Sequence, residues 1–289
     1  MRKTAWVGIV LLALMSVSAW AVEDETVCRH NNTNFGDDLE TYMGQEQFTV
    51  PMNGGTLQVT AAQNGGIKLI AGSGNQYEVT VCKYAGADSQ SEGDQILKQI
   101  TAEHSATAIS VHGPDTGDWT AHLIIRVPQG ASVNASAHNG PLSAKGLTGT
   151  FDLTTVNGPI AVKQVSGKVS AKAQNGPISF SGNTGDYDLE TQNGPISIDL
   201  ASSSWETGKL DAHANNGPIS LHLPKGYQSG VVVSSDGHSP MSCNADVCQD
   251  ARKTWDDGQK KIEFGPSNAV IHISTHNGPV SVGTREASM

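Results

Sequence analysis

Charged and aromatic residues are scarce in this chain. Of its 289 residues, only 16% are charged and 5% are aromatic. Helical bundles carry long charged faces and disordered acidic tails carry dense charge, so the composition excludes both classes. Glycine, in contrast, is abundant, with 32 residues. Many short strands joined by tight turns are the structure that this composition favours.

Basic residues are the rarer of the two charged classes. The chain has 18 Lys and Arg against 28 Asp and Glu, which gives a formal charge of −10. Proteins bind nucleic acid mainly through Lys and Arg that neutralise phosphates, and anionic lipid surfaces repel an acidic protein. Nucleic acid is therefore not an expected partner.

Long apolar runs are absent apart from one near the N terminus. Arg2 and Lys3 precede the run from Val7 to Val17, which is short for a membrane span. Ala19-Trp20-Ala21 follows with the small-x-small pattern of a signal-peptidase site. We predict a signal peptide over residues 1–21 and no membrane span in the mature chain. Cleavage would leave 16 basic and 28 acidic residues, a formal charge of −12, on a protein exported to the periplasm, the cell surface or the medium.

Cysteine is limited to four residues, and an even number in an oxidising compartment predicts two disulfides. Three connectivities are possible, of which we favour Cys28–Cys82 and Cys243–Cys248. The alternative is half a zinc site at Cys243 and Cys248, helped by His238. We disfavour it because a second ligand pair at metal-site spacing is missing. No metal or other cofactor is expected.

A tripeptide repeat organises the C-terminal half. Asn-Gly-Pro begins at Asn139, Asn157, Asn175, Asn193, Asn216 and Asn277. The first three intervals are 18 residues, the fourth is 23 and the fifth is 61. We interpret the fourth as a rung with five inserted residues near 202–206, and the fifth as a rung with a disulfide-bearing insertion over about 234–260.

Each 18-residue repeat, here called a rung, contains two stretches with the period of two that marks a half-buried strand. The first apolar column after the proline is Leu142, Ile160, Ile178, Ile196, Ile219 and Val280. A column in the second stretch is Phe151, Val169, Tyr187 and, after the insertion, Leu210. The fold class is therefore all-β: a β-solenoid, parallel β-helix-like, with two strands per rung.

The Asn-Gly-Pro corners have a physical rationale. Asn tolerates left-handed backbone angles, Gly adopts them without strain, and Pro fixes φ as the chain re-enters a strand. Stacked Asn side chains can also hydrogen-bond from rung to rung. We therefore expect the six corner asparagines to form a structural ladder.

The part before the repeat is less regular. Residues 50–55 and 64–69 resemble degenerate corners, and residues 91–103 carry apolar residues at the spacing of a short helix. We expect an N-terminal segment over 22–47 and one solenoid domain over 48–289, with regular rungs over 139–223.

One stretch resembles a known family. Leu123-Ile124-Ile125-Arg126-Val127-Pro128-Gln129-Gly130 leads into ASVNASAHNGPLSAKGLTGTFDLTTVNGPIAV, and residues 221–226 repeat the strand-Pro-x-Gly element. These features resemble the bacterial "putative adhesin" family, which comprises DUF4097-like exported domains of unknown function. The resemblance covers roughly 48–284 and implies a solenoid fold without established catalytic or ligand residues. Proline after Asn-Gly is a departure, since many relatives are expected to carry a polar residue there.

Candidates for chemistry are few. Asp152, Asp188 and Asp211 fall at equivalent outward positions, as the carboxylates of a solenoid lyase or hydrolase would. His272 and His276 invite a metal hypothesis, but on one strand they stand about 13 Å apart. Trp119, Trp205 and Trp255 are candidates for stacking on sugars.

The interpretation favoured by the sequence is a non-enzymatic exported scaffold that binds an envelope protein or glycan. A carbohydrate-active enzyme and a purely structural envelope protein remain alternatives. The first two differ in whether acidic side chains converge in a cleft.

Overall fold

The structure, a computed structural model, describes residues 28–29, 35–36, 38–115, 117–236, 239–256 and 258–285. The predicted signal peptide and His238 lie outside the described residues. Strands dominate the described part, and two large sheets contain 11 and 12 of them. Inward side chains from both sheets form one continuous apolar core.

The irregular N-terminal part contains seven strands and one helix, α1 (Gln90–Gln99). The strands are β1 (Glu40–Pro51), β2 (Thr56–Thr60), β3 (Ile67–Ala71), β4 (Gln76–Ala87), β5 (Thr101–His104), β6 (Ala108–His112) and β7 (Asp118–Val127). The boundary expected at residue 48 falls inside β1, which pairs antiparallel with β4 along its whole length.

Ten strands form the regular part. They are β8 (Ala131–Asn139), β9 (Leu142–Lys145), β10 (Thr148–Asn157), β11 (Ile160–Lys163), β12 (Ser166–Asn175), β13 (Ile178–Ser181), β14 (Asp186–Asn193), β15 (Ile196–Asp199), β16 (Leu210–Asn216) and β17 (Ile219–Leu223). Odd-numbered strands lie in sheet 1 and even-numbered strands in sheet 2, each parallel to the strand of the next rung.

The C-terminal part completes both sheets. Its strands are β18 (Val231–Asp236), β19 (Met241–Cys243), β20 (Arg252–Asp256), β21 (Gln259–Phe264), β22 (Ile271–Asn277) and β23 (Val280–Thr284), with a 3-10 turn at Asp246–Cys248. The sheet orders are β1-β4-β7-β3-β9-β11-β13-β15-β17-β23-β19 and β20-β21-β18-β22-β16-β14-β12-β10-β8-β2-β6-β5.

The strand register stacks the apolar columns. Ile178 lies opposite Ile160 on one side and Ile196 on the other. Across the core, Val169 lies between Phe151 and Tyr187. All six are at most 2% exposed. Because each rung packs mainly on its two neighbours, the core is one-dimensional and its stability accumulates rung by rung.

The rungs do not follow one another in chain order at either end. The rung of β2 and β3 lies between that of β6 and β7 and that of β8 and β9. At the other end, β22 and β23 lie between β16–β17 and the terminal rung of β18 and β19. The segment expected as an insertion, 234–260, therefore supplies strands to the stack instead of leaving it.

The helix is shorter than the sequence indicated. Ser89 caps it by accepting a hydrogen bond from Glu92 N (3.4 Å), and it ends at Gln99 because Ile100 is extended and fully buried. Residues 101–103, expected in the helix, instead belong to β5, which pairs antiparallel with β6.

Close approach, and not left-handed backbone, explains glycine at the Asn-Gly-Pro corners. Among the described residues only Gln164 is a non-glycine with positive φ, so no ladder asparagine is left-handed, and the corner glycines have ordinary φ as well. A Cβ on Gly158, Gly176 or Gly194 would overlap the carbonyl oxygen of the corner glycine in the preceding rung. Our conformational rationale for these corners was wrong.

The asparagine ladder is continuous. Each Nδ2 donates to Oδ1 of the preceding rung at 2.9–3.1 Å, through Asn64, Asn139, Asn157, Asn175, Asn193, Asn216 and Asn277. Beside it, the buried hydroxyls of Thr155, Thr191 and Thr275 donate to corner glycine carbonyls. The corner thus satisfies polar groups that would otherwise be costly to bury.

Two disulfides brace the ends of the structure. Cys28–Cys82 spans 54 residues and holds the N-terminal segment on the outer face of β4, where Tyr84 and Phe35 complete a small apolar cluster. Cys243–Cys248 closes a short loop after β19. No cysteine is free in the part of the chain that the structure describes.

The first corner, at Asn64-Gly65-Gly66, lacks the proline of the later corners. Gly66 therefore keeps an N–H, which donates to Nδ1 of His122 (2.9 Å). Burial lowers the pKa of His122 below its ordinary value of 6.5. Because Nδ1 accepts a hydrogen bond, the folded protein requires the neutral ring.

This His122 contact predicts a loss of stability in mild acid. The unfolded chain binds a proton at about pH 6.5 and the folded chain only at lower pH, so stability is complete above 6.5 and falls as pH falls towards the folded pKa. His122→Asn keeps an acceptor oxygen for Gly66 N but does not titrate. Urea unfolding should be measured between pH 7 and 5. As pH falls, the free energy of unfolding should decrease more steeply for the unmodified protein than for His122→Asn, by about 1 kcal/mol for each pH unit between the two pKa values. Parallel pH profiles would contradict this role.

Candidate binding surface

Exposed prolines, each followed two positions later by a small outward residue, form a regular strip on the outer face of sheet 1. After each corner, Pro and the residue two positions later both point away from the core. The pairs are Pro141 and Ser143, Pro159 and Ala161, Pro177 and Ser179, Pro195 and Ser197, Pro218 and Ser220, and Pro279 and Ser281. We call these twelve residues the proline–serine face.

Strand register makes this face straight. Ser179 lies directly opposite Ala161 and Ser197, and Ser220 lies opposite Ser281, whose hydroxyl donates to it at 3.2 Å. Neighbouring strands are about 4.8 Å apart, so six rungs extend over roughly 24 Å. The face thus offers an apolar strip of proline rings beside a strip of serine hydroxyl groups that only Ala161 interrupts.

The column next to the serines carries charge. It contains Lys145, Lys163, Ser181, Asp199 and His222 in register. His222 Nδ1 lies 3.2 Å from Asp199 Oδ1, and both line an open depression with Thr284 and Arg285. One edge of the proline–serine face is therefore basic at its N-terminal end and carries both acidic and basic side chains at its C-terminal end.

The aspartates considered for catalysis lie on the outer face of sheet 2. Asp188 and Asp211 are in register on adjacent strands, and Ser170 separates Asp188 from Asp152. Two of them have cationic partners: Asp188 lies 3.8 Å from Lys172 Nζ, and Asp211 lies 2.6 Å from Lys209 Nζ.

Lys172 illustrates the electrostatics of this face. Its ammonium donates to Glu190 at 2.9 Å, and this hydrogen bond, reinforced by the charges of Glu190, Asp188 and Asp152, raises the pKa of Lys172. The nearby depression is lined by Lys172, Glu190 and other residues of β10, β12 and β14 but not by the three aspartates. Asp188 and Asp211 form ion pairs along an open sheet, and the three carboxylates do not converge in this depression.

The histidine candidates have separate partners. His272 Nδ1 lies 3.1 Å from Asp211 Oδ1, whereas His276 Nδ1 lies 3.7 Å from Asp236 Oδ2. Across the described ranges, no group of three His, Cys, Asp or Glu has the arrangement of a metal site.

The three tryptophans have different environments. Trp205, in the inserted residues, is buried against Tyr187 and Phe180 and fills the core at that corner. Trp119 is half-buried and donates from Nε1 to Pro114 O (2.9 Å). Only Trp255 of these three exposes its ring widely, at 52%.

Sequence reasoning missed one member of the ladder and the outward role of the prolines. Asn64 belongs to the ladder, but Asn64-Gly65 lacks the proline that defined the repeat. The prolines were treated as corner residues, although their spacing two positions before the outward serines could have indicated a common face.

Comparison with known proteins places these features in context. A family model described as Toastrack DUF4097 matches residues 41–257. No curated protein matches the chain. A crystal structure of a "putative cell adhesion protein" from Clostridium sporogenes is 14% identical, with coverage of 84% of this chain and 100% of that chain and a TM-score of 0.33. One of a "putative adhesin" from Bacteroides fragilis is 10% identical, with coverage of 84% and 97% and a TM-score of 0.43.

Proposed function

Because the chain belongs to the Toastrack DUF4097 family, we propose that it is an exported binding protein of the cell envelope without enzymatic activity, whose proline–serine face binds an extended glycan. The observation that carries the proposal is the in-register repetition of an exposed Pro over six rungs, followed two positions later by an outward Ser in five of them.

The chemistry of the face fits a glycan. Sugar rings present apolar C–H faces and hydroxyl groups that both donate and accept hydrogen bonds, and proline rings and serine hydroxyls complement these two features. Each contact is weak. Repetition along a polymer makes successive contacts intramolecular, so avidity accumulates without a deep pocket.

Two disulfides support an extracytoplasmic location, because such bonds persist in oxidising compartments. Among the described residues, no helix has the length and apolar character needed to cross a membrane. The absence of enzymatic activity is supported by the ion-paired aspartates of sheet 2, since general acid–base catalysis needs convergent groups with matched protonation states.

A pair of arginine substitutions tests the binding face. Ser179→Arg places a bulky cation in the centre of the proline–serine face, and Thr154→Arg places one at an exposed position on the outer face of sheet 2. In a panel of isolated envelope polysaccharides, we expect Ser179→Arg to weaken binding by about tenfold, equivalent to about 1.4 kcal/mol, and Thr154→Arg to leave it unchanged.

Several outcomes would contradict the proposal. Equal effects of the two substitutions would remove the proline–serine face from the binding surface, and retention of an envelope protein but no polysaccharide would make the partner a protein. Polysaccharide turnover that disappears in a folded Asp188→Asn variant would make the protein an enzyme.

A further inference from the structure

Asparagine followed by glycine is the dipeptide most prone to deamidation, because an unsubstituted glycine lets its backbone nitrogen reach the asparagine side chain. The chain contains eight such dipeptides. Seven belong to the ladder, and the eighth is Asn53-Gly54, in the turn between β1 and β2. The same local sequence thus occurs in two structural environments within one molecule.

We propose that Asn53 is a self-modifying site, which deamidates in the folded protein while the ladder protects the other seven dipeptides. In the reaction, the deprotonated Gly54 nitrogen attacks Cγ of Asn53, the Cγ–Nδ2 bond breaks, and ammonia leaves with the proton returned from solvent. Water then opens the resulting succinimide at either carbonyl, which yields aspartate or isoaspartate. Water is the sole co-reactant.

The surroundings of Asn53 favour the attack. Asn53, Gly54 and Gly55 are exposed, and a Cβ on Gly54 would meet no atom within 4 Å, so the turn has space to move. No hydrogen bond from Gly54 N occurs among the described residues. Gly55 N donates to Asn53 Oδ1 (2.9 Å), which withdraws electron density from Cγ and stabilises the negative charge that develops on this oxygen.

The ladder has the opposite effect. In the interior rungs each asparagine amide donates to one neighbouring rung and accepts from the other, so both of its partners belong to the stack, whereas the two partners of Asn53 lie in exposed turns. The nitrogens of Gly158, Gly176, Gly194 and Gly217 also donate to the asparagine carbonyl of the next rung. Attack at these positions requires at least two hydrogen bonds to break in a stacked backbone.

Deamidation would change the structure locally. Asn53 Nδ2 donates to Ala106 O (3.1 Å) and so links the β1–β2 turn to the turn between β5 and β6. Conversion to a carboxylate removes this donor and adds a negative charge, and isoaspartate also lengthens the backbone by one methylene group. The modified protein should therefore lose the contact between these two turns but keep the solenoid.

Peptide mapping by mass spectrometry tests the inference. The folded mature protein, with disulfides intact, is kept in mildly alkaline buffer and sampled over time, and deamidation is quantified at all eight dipeptides. We expect Asn53 to react at least about tenfold faster than any ladder asparagine, since each hydrogen bond that must break adds to the barrier. In denaturant, all eight should react at similar rates.

Two controls make the result decisive. Asn53→Gln should abolish the mass gain in its peptide and leave the ladder peptides as they were, because glutamine would need to close a larger ring. A ladder asparagine that reacts as fast as Asn53 in the folded protein would overturn the protective role of the ladder. Rates that keep the same order in denaturant would show that sequence, and not structure, selects Asn53.

Discussion

The Ile178→Asp variant is expected not to fold. Ile178 on β13 is 1% exposed and lies between Ile160 and Ile196 in the core. An unpaired buried carboxylate and the lost apolar contacts together cost about 5 kcal/mol or more, which is comparable with the whole stability of a typical domain. Since each rung contacts mainly its two neighbours, no other part of the core can compensate. Circular dichroism during urea unfolding should show no cooperative transition.

Ser179→Asp is the matched control, because it introduces the same side chain one residue along. Ser179 is exposed on the outer face of sheet 1, so the new carboxylate stays in water. We expect the free energy of unfolding to change by no more than about 0.5 kcal/mol. Similar losses in the two variants would overturn the assignment of the inward and outward faces of β13.

The inward columns could be predicted because their signal is local and repeated. Leu142, Ile160 and Ile178 recur after identical corners, so the period of two and the period of 18 indicate the same buried face. Family and fold class followed from the same repetition. Because the pattern repeats in every rung, it can be recognised even where one residue is irregular.

The order of the end rungs could not be predicted in this way. The rungs of β2–β3 and β6–β7 have degenerate sequence patterns. Neither pattern indicates which of the two rungs lies beside β8 and β9. That choice depends on long-range contacts between whole strands. The same applies to β22 and β23, which pack between strands that precede them in the chain.

The binding surface was harder to predict than the core. Core columns are recognised by apolar residues, whereas an outward column of Pro and Ser resembles ordinary turn and surface composition. The three aspartates were placed correctly in one register, and Lys209 is only two residues before Asp211 in the chain. Sequence spacing does not show, however, that Lys172 of β12 lies beside Asp188 of β14. Predicting an ion pair between two rungs requires the positions of the side chains.

Gly176→Ala is expected to destabilise the stack by more than about 3 kcal/mol, at the upper end of the cost of overpacking. The added methyl would overlap the carbonyl oxygen and carbon of Gly158, which are backbone atoms of the adjacent rung. Relief requires the two rungs to separate at the corner, and this movement would also stretch the bond from Gly158 N to Asn175 O (3.1 Å) and the bond from Asn175 Nδ2 to Asn157 Oδ1 (3.0 Å). Thermal or urea unfolding would measure the loss.

Gly130→Ala separates this steric effect from backbone strain. Gly130 has φ +75°, but a Cβ there would meet no atom within 4 Å, so the substitution imposes left-handed strain without overlap. Its expected cost is about 1 kcal/mol. Gly176 lies outside the left-handed region and would suffer overlap without strain. A larger loss at Gly130 than at Gly176 would mean that conformational freedom explains glycine at the corners, whereas the reverse order would establish that rung spacing leaves no room there for a side chain.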